Sequence, residues 1–178
     1  GTLDVRVSVQ SMDRKVLKNI RRQNIKLDVM NDVAESSIAL GLHTNTELIL
    51  ALPGETFESH IKSLSEALES GIGVIIAYNL MLLNGTEMAS QADIDKYGLK
   101  HQYRVNAMDF GKLSDGTISV EIGKVVTSTK TMTFDEYLAA RTYHLLIQIF
   151  YNSETFFPFF KLMRLINVPI IEFFNKIK

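Results

Sequence analysis

The sequence predicts an α/β protein, with parallel β/α units in its first half and a small β-hairpin and helical extension behind them. Three observations predict this. Short apolar runs recur at residues 5–9, 46–51 and 73–83, as strands buried in a parallel sheet do. Between them, apolar residues recur at helical spacing. After residue 90 the alternation stops, and two strand-like runs flank the hairpin signal Ser114-Asp115-Gly116.

Val5, Val7 and Val9 are β-branched and make the first strand, with Gln10 and Ser11 as its polar tip. Asp13 is placed to cap a helix whose buried side is Val16, Leu17 and Ile20. Residues 23–27 connect it to a second helix over about 28–40, which Gly41 stops. The turn at His43 to Asn45 leads into the strand of 46–51, and Pro53-Gly54 ends it. Glu55, Thr56 and Glu58 open a third helix with negative charge at its positive end, and Phe57, Ile61, Leu64 and Leu68 give it a packing stripe. Gly71 closes that helix, and a third strand over 73–83 runs to the turn Asn84-Gly85. Strand, helix, strand, helix, strand with short joints reads as parallel units with right-handed crossovers. Residues 91–100 are polar and predicted irregular or briefly helical, followed by strands at 103–112 and 117–128. Thr133 and Glu136 match a capping box for a helix to about Tyr151, with Leu138, Leu145 and Ile149 on its expected buried side. The tail, 154–178, carries six phenylalanines and reads as two short helices broken near Pro169. All-round apolar helices pack on a domain; an interfacial membrane contact is the alternative.

A chain of 178 residues, 46% hydrophobic, can bury a sizeable core. A net charge of −1 argues against a general nucleic-acid binder. There is no apolar run long enough to span a bilayer and no apolar leader, so the expected location is the cytoplasm. Zero cysteines exclude disulfides and any thiolate-held metal or iron–sulfur cluster on this chain. The four histidines, 43, 60, 101 and 144, show no ligand spacing, so no metal site is expected. No GxGxxG, GxxxxGK[ST] or GxSxG motif occurs, and a hydrolase on this scaffold lacks a nucleophile–base pair. In a parallel sheet, ligands bind beyond the carboxyl ends of strands, which puts Gln10 and Ser11 where a ligand-facing group belongs. Arg22 follows twelve positions on, near the far end of the first helix.

Three stretches in this order, SVQSMDRKVLKNIRRQNI, ELILALPGET and YNLMLLNGTEM, resemble the second half of a radical S-adenosylmethionine (radical SAM) barrel. Within that superfamily they are most similar to the branch with cobalamin-dependent enzymes, oxygen-independent coproporphyrinogen oxidases and methylthiotransferases. The stretch EIGKVVTSTKTMTFDEYLAARTYHLL also resembles the C-terminal extension of the cobalamin-binding members. The resemblance implies strands four to six of a (β/α)6 partial, TIM-like barrel over residues 1–90 and an extension over 91–178, with its hairpin at 103–128 and helices at 133–178. It implies a [4Fe–4S] cluster that cleaves bound S-adenosylmethionine to a 5′-deoxyadenosyl radical, in a methylation or rearrangement that uses cobalamin in the nearest branch.

Carried over by position, Gln10 and Arg22 match the pair that holds the methionine carboxylate. Glu47 matches a ribose-binding acid, and Ile49 an apolar residue against the adenine. Residues 79–81 would offer backbone groups to the adenine edge. Each has a structural alternative. Gln10 can bond a neighbouring loop, Arg22 can be a solvated helix-end cation with Arg21 in its place, Glu47 can form an ion pair, and Ile49 can be core. Glu55 and Glu58 are read as helix-start charges. No catalytic residue is assigned, and neither substrate nor oligomeric state follows from the sequence. The cluster loop CxxxCxxC is absent, so the expectation is an inactive fragment whose upstream half has been removed, with cluster and cobalamin held elsewhere. Such a fragment would expose the edge of its first strand and associate through it. The alternative is a non-catalytic α/β module that binds a small ligand or partner.

Overall fold

The computed structural model describes residues 4–24, 27–153 and 155–178. Strand β1 (Val5–Gln10), β2 (Thr44–Leu50) and β3 (Val74–Asn79) form a parallel sheet in the order β1-β2-β3. The three apolar runs are therefore parallel neighbours. Register is direct, with Ser8 opposite Glu47 and Glu47 opposite Ile76, until a bulge at the end of β1 sets Gln10 against Leu48.

Helix α1 (Arg14–Asn19) starts where Asp13 Oδ1 accepts the Lys15 and Val16 amides at 2.7 and 3.0 Å. It ends after one and a half turns, and Arg21 takes a left-handed backbone at φ 53°. Residues 25 and 26 of the expected connector lie outside the described residues. Helix α2 (Leu27–Ala39) returns along the sheet, and α3 (Phe57–Glu69) opens with a capping box between Thr56 and Ser59.

The third apolar run divides at Leu80. Its last part becomes β4 (Met81–Leu82), which leaves the parallel sheet and joins an antiparallel one in the order β4-β6-β5. Helix α4 (Gln91–Tyr97) lies between, closed by left-handed Gly98. Strands β5 (Lys100–Lys112) and β6 (Ile118–Ser128) pair around the turn at Asp115. Helix α5 (Phe134–Leu146) carries the capping box of Thr133 and Glu136 and continues as a wider π turn, Ile147–Tyr151. Helices α6 (Phe157–Leu165) and α7 (Ile170–Ile177) follow, separated at Pro169.

One face of the parallel sheet is closed. Val7, Val9, Leu48 and Ile75 pack there against α2 and α3, and the π turn, α6 and α7 complete that core with Tyr151, Phe160 and Phe174. A second core joins Val16, the Leu50–Leu52 corner, Leu80, Val126 and Tyr137. Both cores draw on residues before and after 90. The extension also bonds the sheet directly, because the Asn152 carboxamide donates to Ile75 O at 2.8 Å and accepts from Ile75 N at 2.9 Å.

One expected face is reversed. Leu138, Leu145 and Ile149 are exposed at 47, 59 and 50%, while Tyr137, Ala140, Tyr143, His144 and Ile147 are buried. The helix is apolar on two sides, and the aromatic side makes the larger contact with α3 and the β2 corner.

Candidate functional site at the open sheet face

Among the described residues no helix covers the opposite face of the sheet, and alternation along the strands puts a polar set there. Arg6 donates to Asn45 Oδ1 at 3.1 Å and pairs with Glu47 Oε1 at 3.2 Å. Ser8 Oγ donates to the other oxygen, Glu47 Oε2, at 2.8 Å. Ile49, half-buried, and Tyr78, exposed, follow at the next register position toward the strand ends. Glu47 is therefore paired, which is what a carboxylate leaving water requires.

Gln10 ends β1 with φ 59°, is half-buried, and makes no hydrogen bond through its side chain to a described residue. Arg22 is exposed and turns back to the same strand, its Nη2 donating to Ser8 O at 3.1 Å. Among the described residues that guanidinium makes no other hydrogen bond, which leaves most of its donors without a partner there. Arg21, the other member of the pair, faces away and grips Glu87 with both terminal nitrogens at 2.9 and 2.8 Å. At the end of β3, Asn79 Oδ1 is buried with no partner among the described residues. A buried acceptor of this kind is a place for a ligand donor or a water.

Arg22 also lies on a cleft of about 1150 Å³ on the helical side, with Lys15, Lys18 and Lys62. Gln10, Glu47 and Ile49 do not line that cleft. Ser11, expected to face a ligand beside Gln10, is instead fully buried, and its hydroxyl and carbonyl accept from Asp13 N and Asn24 Nδ2.

Beneath the mouth of β2 is a polar chain that sequence reasoning missed. Glu55 is fully buried rather than a solvated helix-start charge. Its Oε2 accepts the amides of Ala51 and Leu52 at 2.8 and 3.3 Å, and its Oε1 takes His60 Nδ1 at 3.0 Å. His60 Nε2 meets His144 Nε2 at 2.8 Å, and Arg141 Nη1 stands 3.4 Å from His144 Nδ1. Burial, the His60 ring and the Arg141 charge push His144 down to about 2. The two histidines read as scattered thus touch, 84 positions apart. No local spacing could show it. The carboxylate holds Ala51 at φ 68°, a left-handed backbone that costs a residue with a Cβ about 1–2 kcal/mol. Next to it, Gly54 at φ 81° passes so close to Asn19 that an added Cβ would meet its Nδ2 at 2.5 Å.

Among the described residues, no three His, Cys, Asp or Glu side chains converge as metal ligands, and no helix is long and apolar enough to cross a membrane. No family model matches the chain. It is 29% identical over 148 residues to the cobalamin-dependent radical SAM methyltransferase TokK of Streptomyces tokunonensis, covering 83% of this chain and 21% of TokK. To 2-(S-pantetheinyl)-carbapenam-3-carboxylate methyltransferase of Streptantibioticus cattleyicolor it is 29% identical over 149 residues, covering 83% of this chain and 21% of that protein. To heme chaperone HemW of Buchnera aphidicola it is 22% identical over 196 aligned positions, covering 89% of this chain and 52% of HemW. The chain therefore spans about a fifth of the two methyltransferases and about half of HemW. These similarities make the chain a relative of radical SAM proteins, with cobalamin-dependent methyltransferases among its kin.

Proposed function

We propose that the chain forms the S-adenosylmethionine-contacting part of a radical SAM enzyme. Residues 1–90 would be three consecutive units of its partial (β/α) barrel, and 91–178 an extension packed on them. The observation that supports this reading is the hydrogen bond that turns Arg22 back onto the first strand. Arg22 bonds β1 two residues before Gln10, and Glu47 and Ile49 stand on the adjacent strand.

In this reading the free donors of Arg22 and the unpartnered carboxamide of Gln10 hold the methionine carboxylate, a planar anion that a guanidinium matches. Glu47 accepts from the ribose hydroxyls once Ser8 or Arg6 gives way, and Arg6, at 59% side-chain exposure, yields at small cost. Ile49 lies against the adenine, and Asn79 Oδ1 accepts from its amino group.

The residues present do not fit a [4Fe–4S] cluster, since the chain has no cysteine. Its ligands would come from outside this sequence, as would any site for cobalamin, and the chain by itself would be inactive. A cluster held by such outside ligands would supply one-electron reducing chemistry to adenosylmethionine, and this chain's part would be to hold that molecule in place. The names of two relatives support methyl transfer as the outcome.

Calorimetry of adenosylmethionine binding to the polypeptide carrying the whole barrel tests the reading. Arg22→Ala should weaken binding about tenfold or more, as expected for hydrogen bonds to a charged group, and Lys18→Ala by less than about twofold. Equal affinities remove Arg22 from the site. Absence of binding by the unaltered protein would leave a non-catalytic α/β module, a reading that the closed Arg6–Glu47–Ser8 network favours.

A further inference from the structure

The buried chain from Arg141 through His144 and His60 to Glu55 touches nothing on the open face, and its donors and acceptors run in one direction only. A carboxylate can only accept, so His60 carries its proton on Nδ1 and presents a bare Nε2. His144 must then donate from Nε2, which leaves its Nδ1 bare toward Arg141, a group that can only donate. The hydrogen bonds thus assign one tautomer to each ring. A proton added to either ring would end as an N–H on His144 Nδ1 facing the guanidinium. The lowered basicity of His144 agrees with this accounting.

Apolar residues of the same volume would stabilise the interior at least as well as such a network. What the network adds is direction and position. Its far end is the Glu55 carboxylate that fixes the left-handed bend at Ala51, directly after the strand carrying Glu47 and Ile49. The extension holds the same corner a second time, through Thr131 Oγ1 donating to Glu55 O at 2.6 Å.

We infer that His144 is a positioning residue: through His60 and Glu55 it sets the bend after β2, and so ties the mouth of the sheet to helix α5 of the extension. What the mouth binds rests on the adenosylmethionine reading above. The coupling does not, and it is measured without that ligand.

The test is nitrogen NMR and amide exchange on the full chain. In the unaltered protein at pH 7.5, His60 should be protonated at Nδ1 and His144 at Nε2, and His144 should not titrate down to pH 5. His144→Gln can donate to His60 and accept from Arg141, so the Ala51 and Leu52 amides should exchange as before relative to Leu48. His144→Leu strands His60 Nε2, and the same ratio should rise about tenfold. Arg141 is exposed, so Arg141→Met should fold, keep the same tautomer, and remove the positive charge that opposes a proton on His144 Nδ1, so that this ring titrates at higher pH than in the unaltered protein. The inference is overturned if His60 carries its proton on Nε2, if His144 titrates near its ordinary value, or if the Gln and Leu variants disturb Ala51 equally. Should the Leu variant not fold, the tautomer assignment and the Gln and Met variants still decide the matter. Loss of adenosylmethionine binding in Arg22→Ala plays no part in any of these outcomes.

Discussion

The two faces of the parallel sheet divide the work of the molecule. On one, Val7, Val9, Leu48 and Ile75 meet helices and a cluster of tail aromatics, and the buried Thr46 between them donates its hydroxyl proton to Val7 O. On the other, Arg6, Ser8, Asn45 and Glu47 bond one another within reach of solvent. The difference teaches that the apolar core and the polar network sit on alternate residues of the same strands. A substitution moved by one position changes which of the two it affects.

Three measurements sharpen or break that division. The largest effect belongs to the closed face. Phe160, 1% exposed and in ring contact with Tyr151, Phe159, Phe173 and Phe174, should cost about 3–5 kcal/mol on truncation to alanine, read by urea denaturation. A loss below about 1 kcal/mol would mean that the tail does not close the core as described.

The second effect comes from the polar chain between the two cores. His144 is held down at about 2 when folded and returns to its ordinary value when unfolded. Between those values the unfolded chain binds the proton that the folded one refuses, so stability falls as pH drops below about 6.5. From pH 7.5 to 5.5 this ring should remove about 1.4 kcal/mol, and His144→Gln should abolish that part of the slope. An unchanged slope would show that the ring is not desolvated.

The smallest effect is on the open face. Glu47→Gln should change stability by less than about 1 kcal/mol, because its partner Arg6 is largely exposed, while lowering adenosylmethionine affinity in the calorimetric assay. If the stability loss matched that of Phe160→Ala, the open face would be structural.

The sequence showed those elements whose signals are local. Asp13 and the Thr133–Glu136 pair mark helix starts because a side-chain oxygen meets amides two or three residues away. The order of the three strands followed from the short joints between them. What stayed illegible depends on distant partners. Glu55 looks like any acid before a helix until β2, α3 and α5 close over it. Leu138 and Tyr137 are both apolar and adjacent, so periodicity could not choose the inward side. Gln10 and Arg22 were singled out by resemblance, and the local geometry adds only that the second reaches the strand ended by the first.

The carboxamide of Asn152 has a consequence for assembly. It satisfies Ile75 as the backbone of a fourth strand would, so the margin beyond β3 is already stoppered. The margin of β1 meets no strand among the described residues. A strand that lengthened this sheet would therefore add more readily beside β1 than beside β3, where it would first have to displace that carboxamide.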